Sequence, residues 1–268
     1  MLVTTSMAYL FIYDTLGSLK KVVEQGNVRA QNLKELWGHN IERLDVAPGG
    51  EIVGIGVGYP NHNLLHLYTG DGKFIRDFFP LDSIYTESSV KFPSVDVDTA
   101  GDVWCVYPPF HKVFRYGING SRKKEIVGKT QLFKPPDKLK GPISRKSWLK
   151  WLKTWTPVVE CAATQSGYVL LVMLAGEKGK PFVKNYNPER MYDGGFFIDI
   201  YDREGNLMAG GLHTPHRFLC VDDKDNLWFA LAPETPENPA KDGPVVLGKY
   251  KLNLKPMSVG KKVSKTGR

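Results

Sequence analysis

The sequence predicts an all-β fold: a β-propeller whose blades are four-stranded antiparallel sheets, carrying one short inserted helix. Three observations lead there. Short apolar runs rich in β-branched and aromatic residues alternate with turn residues along most of the 268-residue chain. Five tyrosines, Tyr13, Tyr68, Tyr116, Tyr201 and Tyr250, stand 55, 48, 85 and 49 residues apart. A glycine falls four residues after each of the first four. A repeat of about 45 to 50 residues, each copy a sheet that cannot bury both faces alone, describes a propeller.

The unit is clearest between Pro93 and Glu125. The run Ser94-Val95-Asp96-Val97 precedes a tight turn at Thr99 to Asp102, and Val103-Trp104-Cys105-Val106-Tyr107 follows it. A loop from Pro108 to His111 leads to Lys112-Val113-Phe114-Arg115-Tyr116, then to a turn ending at Gly120 and a charged, β-prone segment. That order spells a four-stranded meander. The first two runs recur as Leu44-Asp45-Val46 with Ile52-Val53, Cys161-Ala162-Ala163 with Tyr168-Val169-Leu170, and Leu219-Cys220-Val221 with Asn226-Leu227-Trp228. Asp225 takes the glycine place in the last turn, and aspartate tolerates the left-handed region better than most residues. The first run of each unit is expected to be the innermost strand, lining the central channel.

The strings Val-Asp-x-x-Gly-x-Val/Leu-Trp and Tyr-Asp-x-x-Gly-x-Leu make the chain similar to the NHL-repeat and six-bladed TolB-like propellers over about residues 2–252. The resemblance implies six blades, of which about five are visible here, and a periplasmic or secreted protein, although no signal peptide stands in this chain. It says little about activity, since such folds host hydrolases, lyases, sensors and binding scaffolds.

The first unit reads as second, third and fourth strands at Leu2 to Ser6, Leu10 to Tyr13 and Leu19 to Val23, with no innermost strand ahead of them. The expectation is one propeller domain over 1–255, incomplete at its N-terminus, followed by a basic tail over 256–268. Residues Asn27 to Trp37 can form a short helix. A helical insertion is expected over about 134–156, where Trp148, Trp151, Leu152 and Trp155 fall at helical spacing behind Ser144 or Ser147 as cap. Its tryptophans either pack on the propeller rim, the reading placed first, or anchor the chain peripherally to a membrane surface. A second insertion, Ala175 to Gly195, carries Lys178, Lys180, Lys184, Tyr186 and Arg190, and loops on a rigid ring are where binding residues collect.

The formal charge of +8 and pI near 9.2 are concentrated in Lys134 to Lys153 and in the tail, so nucleic acid is not an expected partner; a protein or small-molecule ligand, bound by a monomer, is. The three cysteines, Cys105, Cys161 and Cys220, sit in apolar runs and point neither to a disulfide framework nor to a zinc site. No run reaches the ~18 apolar residues of a membrane-spanning helix.

Chemistry in a propeller belongs at the channel mouth, on or just before the innermost strands, where several blades converge. The candidates there are Glu42 and Arg43, Ser94 and Asp96, Glu160, and His216 and Arg217; Lys184, Tyr186, Arg190 and Trp151 are candidates for binding on the insertions. The leading expectation is a non-enzymatic binding propeller. The alternative is a metal-dependent lactonase- or esterase-like hydrolase, with Ca²⁺ or Zn²⁺ on Asp96 and Glu160. Resemblance to propeller lactonases implies an asparagine ligand as well, and none stands at the matching strand starts. His216 is a candidate general base, or a structural residue of its loop. His62, His66 and His111 are expected at the surface, and Asp98 and Asp222 in turn architecture. Trp104 and Trp228 share one strand position and are expected to pack between blades.

Overall fold

The computed structural model describes residues 2–6, 9–24, 38–59, 63–80, 93–137, 144–183, 186, 192–231, 246–252 and 254. Within them the strands form five antiparallel sheets that succeed one another along the chain. The first holds β1 (Leu2–Ser6), β2 (Tyr9–Tyr13) and β3 (Leu19–Glu24); the second holds β4 (Gly38–Val46), β5 (Ile52–Tyr59), β6 (Asn63–Tyr68) and β7 (Phe74–Pro80). The third is β8 (Ser94–Val97), β9 (Asp102–Val106), β10 (Lys112–Gly117) and β11 (Arg122–Val127). The fourth is β12 (Val158–Ala163), β13 (Tyr168–Leu174), β14 (Phe196–Asp202) and β15 (Leu207–Thr214), and the fifth is β16 (Arg217–Val221), β17 (Asn226–Ala230) and β18 (Leu247–Lys251). Each sheet is a meander in which a strand pairs only with its sequence neighbours. Successive inner strands touch in the order β4, β8, β12, β16, the arrangement of propeller blades.

The core lies between sheets. In the fourth sheet Val169, Leu171, Met173, Phe197 and Tyr201 face the third sheet, packing with Trp104, Val106 and Val113. The alternate residues Leu170, Val172, Leu174, Ile198 and Ile200 face the fifth, packing with Phe218, Leu227 and Phe229. Val95, Cys105 and Phe114 likewise meet Val53, Ile55 and Leu65 of the second sheet, and Leu10 and Ile12 meet Ile41 and Ile52. A strand buried on both faces needs apolar residues at odd and even positions alike. That is why the inner runs read as continuous hydrophobic stretches.

Turn chemistry explains the repeated letters. Gly17, Gly72, Gly120 and Gly205 all have φ of 81–86°, and Asp225, in the place of a glycine, has φ of 58°. Asp98 Oδ1 accepts the N–H groups of Ala100 and Asp102 at 2.9 Å, and its Oδ2 accepts the Trp104 indole N–H at 3.0 Å. Asp222 repeats this with Lys224, Asn226 and Trp228, and these bonds hold its carboxyl well below the usual aspartate range against the opposing effect of desolvation. The aspartate-to-tryptophan spacing is thus one hydrogen-bonded device, as the turn reading expects. Trp104 is fully buried between blades, whereas Trp228 is half-buried with Lys249 Nζ 5.2 Å from its ring centroid.

Helix α1 (Arg145–Lys153) starts from a capping box formed by Ser144 and Ser147. Trp151 is 8% exposed, Leu152 2% and Trp155 1%, all within the core shared by the fourth and fifth sheets. The rim-packing reading describes this geometry. The segment Gly176–Phe182 is a 3-10 helix.

Three expectations are corrected. His66, on β6, is buried, its Nε2 3.0 Å from the Gly56 carbonyl, and His111, in the loop ahead of β10, is buried against Asp199 of the fourth sheet. Cys220, expected among apolar neighbours, is exposed on β16, whereas burial pushes the Cys105 and Cys161 thiols well up. The short helix expected at 27–37, His62 and the basic tail 256–268 lie outside the described residues.

Candidate functional site

Counting back from the first turn of each unit puts Asp45, Asp96, Ala162 and Cys220 in one layer of the inner strands. Arg43, Ser94 and Glu160 fall in the next layer out, with Phe218 at the matching place in the fifth unit. Bulges at Ile41/Arg43 and Val158/Glu160 re-aim β4 and β12 just where that outer layer begins.

The inner layer is structural. Asp45 Oδ2 accepts the Val97 N–H at 2.7 Å, and Asp96 Oδ2 accepts the Ala163 N–H at 2.6 Å. Each carboxylate therefore ties the innermost strand of its blade to that of the next. The device stops where alanine and cysteine occupy the same layer. Burial, with the charges of Asp45 and Asp98 nearby, pushes the Asp96 carboxyl up from 3.8 to about 7, against the Ala163 N–H, which favours the anion. The folded chain then binds this proton more tightly than the unfolded chain. The resulting stability is fully present below about pH 4 and is lost as pH rises through 7. We expect the melting temperature to fall between pH 5 and pH 8, and Asp96→Asn to remove most of that slope, a difference of at most ~4 kcal/mol. Parallel pH profiles for the two proteins, recorded by differential scanning calorimetry, would contradict this.

The outer layer is a cluster drawn from three successive blades. Glu160, 9% exposed, accepts a hydrogen bond from Ser94 Oγ at 2.9 Å and pairs through the same oxygen with the Arg43 guanidinium. Arg43, Glu160, Arg217 and Tyr192, with Val159, Phe196 and Phe218, line a cleft of about 30 Å³, room for one or two waters. Arg217 is exposed, its guanidinium carbon 5.8 Å from the Tyr192 ring centroid. Among the described residues no carboxylate pairs with it.

The structure thus brings together Arg43, Ser94, Glu160 and Arg217 of the predicted mouth residues. Asp96 lies one layer deeper in its blade clamp, and Glu42 sits at the β4 bulge. His216 is half-buried with its backbone N–H on Thr214 Oγ1 at 3.1 Å, and it does not line the cleft. Tyr186 lies under Lys153, 5.8 Å from nitrogen to ring centroid, and Trp151 donates its indole N–H to the Asp137 carbonyl. Lys184 and Arg190 are outside the described residues. Sequence reasoning missed Asp45, although it occupies the same place in its unit as Asp96, and Tyr192, which nothing in the repeat pattern marks. Among the described residues no group of three His, Cys, Asp or Glu side chains is placed to hold a metal ion.

No family model matches the chain, and no curated protein matches it. Among solved structures it is similar to a member of the DUF4221 family from Bacteroides vulgatus, at 10% identity over 91% of this chain and 72% of that one, with a TM-score of 0.57. It is also similar to virginiamycin B lyase from Staphylococcus aureus, at 14% identity and a TM-score of 0.47, and to a protein of unknown function from Bacteroides caccae, at 8% identity and 0.45. These cover 93% and 85% of this chain; the chain spans 64% of the length of each. At such identities the likeness is one of fold. The chain is a β-propeller.

Proposed function

We propose that this chain is a non-enzymatic binding propeller of the NHL or TolB-like kind, six-bladed when its ring is closed, which holds an anionic group of a small-molecule or protein ligand between Arg217 and Arg43. One observation carries the reading. The polar groups of the mouth satisfy one another, Glu160 with Arg43 and Ser94, while the Arg217 guanidinium stands at the same cleft without a described carboxylate partner. An exposed cation oriented on an aromatic ring at the convergence of several blades supports recognition of a carboxylate or phosphate. The small cleft then receives only the charged tip of a ligand whose body rests on the surrounding loops.

Citrate is a suitable probe. Titration calorimetry at low salt is expected to show binding to the wild-type chain and at least ~10-fold weaker binding to Arg217→Ala, with thermal stability unchanged in the absence of probe. Equal binding by the two proteins would overturn the reading. The competing hydrolase places Ca²⁺ or Zn²⁺ on Glu160 and Asp96. It predicts lactone turnover that both a chelator and Glu160→Gln abolish, and that result would replace the binding reading.

A further inference from the structure

We propose a second ligand site, separate from the channel mouth: a groove between the second and third blades that takes a planar aromatic anion. At the next junction the outer space is filled, because His111 stacks on Phe133 with centroids 4.9 Å apart and reaches Asp199 of the fourth sheet. At the junction after that, Trp151 of α1 and Trp155 just beyond its end fill it. Between β7 and the outer strands of the third sheet the described residues leave a groove of about 410 Å³. That volume suits one small molecule.

The lining specifies the ligand. Buried Tyr107, Phe114 and Tyr116 form the floor, while Phe79 and Phe110 rise at the sides. Phe79 lies 4.9 Å from Phe114 and 5.4 Å from Tyr116, centroid to centroid, and Tyr107 stacks on Phe110 at 5.7 Å and 12°. These ring faces accept a flat apolar body. On the rim, Lys112 Nζ is 2.6 Å from one oxygen of Glu125, and Arg122 pairs with the other. Two cations against one carboxylate leave one positive charge beside the rings. The Arg122 guanidinium lies 5.4 Å from the Phe114 centroid and stays half exposed, ready to meet an anion. Phe79 supplies an independent sign: its φ is 65°, a left-handed conformation that is strained for a non-glycine residue and that clusters at binding sites.

The test uses 1-anilinonaphthalene-8-sulfonate, an aromatic sulfonate whose emission rises when it leaves water, titrated against the full chain. The expected result is saturable binding at one equivalent. Arg122→Ala should weaken it by about 10-fold, and Phe110→Ala should weaken it as well, whereas Arg217→Ala should leave it unchanged. Neutral N-phenyl-1-naphthylamine should bind wild type and Arg122→Ala alike. Arg122 is at the surface, so its variant keeps the test intact even where Phe110→Ala folds poorly. Sulfonate binding that is absent, or indifferent to Arg122→Ala, would overturn the proposal. So would emission that appears only after residues 81–92, which follow Pro80 at the rim, are replaced by a Gly-Ser stretch, since the chain itself would then occupy the groove.

Discussion

Replacing Asp199 by alanine is expected to destabilise the chain by about 3–5 kcal/mol, the cost of stripping one partner from a buried charged network. Asp199 is wholly inaccessible. One of its oxygens accepts from His111 Nε2 at 3.0 Å and from the Tyr201 hydroxyl at 3.1 Å, and the other accepts the Gly211 N–H at 2.8 Å. The Tyr201 oxygen in turn accepts the Lys129 N–H at 3.0 Å. The loop ahead of β10, β14 itself and β15 therefore converge on a single carboxylate, and the segment after β11 joins them through the Tyr201 hydroxyl. Burial and the adjacent Asp199 charge also raise the Tyr201 hydroxyl above its ordinary range, in spite of the Lys129 N–H. Alanine would leave an imidazole, a phenol and an amide without their acceptor in a dry junction, together with a cavity. Asp199→Asn should lose less, because the side-chain amide keeps one acceptor oxygen while presenting an extra donor. Denaturant unfolding of the three proteins measures this. A loss below about 1 kcal/mol for alanine would mean that the third and fourth blades are not joined through this residue.

The second large effect concerns the tryptophan just beyond α1. Trp155→Ala is expected to cost about 3–5 kcal/mol, because the indole is 1% exposed, packs on Trp151 with centroids 5.3 Å apart, and belongs to the core that seals the fourth sheet against the fifth. Trp148 is only half-buried, and its replacement should cost far less. The measurement pairs thermal unfolding with liposome flotation. A peripheral membrane role predicts the opposite pattern, in which Trp155→Ala abolishes flotation and leaves the melting temperature unchanged.

What the sequence disclosed follows how local each feature is. The turns were readable because a positive φ at Gly17, Gly72, Gly120 and Gly205 is set within four residues, and the aspartate substitute at Asp225 obeys the same steric rule. Counting back from the first turn of each unit, at Gly50, Gly101 and Gly167, puts Arg43, Ser94 and Glu160 in one layer, and a repeat transfers that register from blade to blade without knowledge of the fold's details. The offset between neighbouring blades was not readable. It decides that Asp45 and Asp96 turn to the backbone of the next inner strand instead of to the channel. It also buries His111, which follows a loop with two prolines, and His66, which stands inside the apolar run Leu64-Leu65-His66-Leu67-Tyr68. Asp199 is a lone acid inside Phe196-Phe197-Ile198-Asp199-Ile200-Tyr201. An acid in such a run needs partners, and that signal could have found the network even though its partners could not be named. Tyr192 belongs to an insertion outside the repeat, where register carries no information.

The central claim is that inner strands of different blades converge at one mouth where Arg43 and Arg217 receive an anion. Anomalous diffraction from crystals of the chain soaked in selenate tests it most directly. The account predicts a selenium peak within hydrogen-bonding distance of both guanidinium groups, lost in Arg217→Ala. A mouth without such a peak, or a Ca²⁺ or Zn²⁺ ion coordinated there by Glu160 and Asp96 after a metal soak, would contradict it.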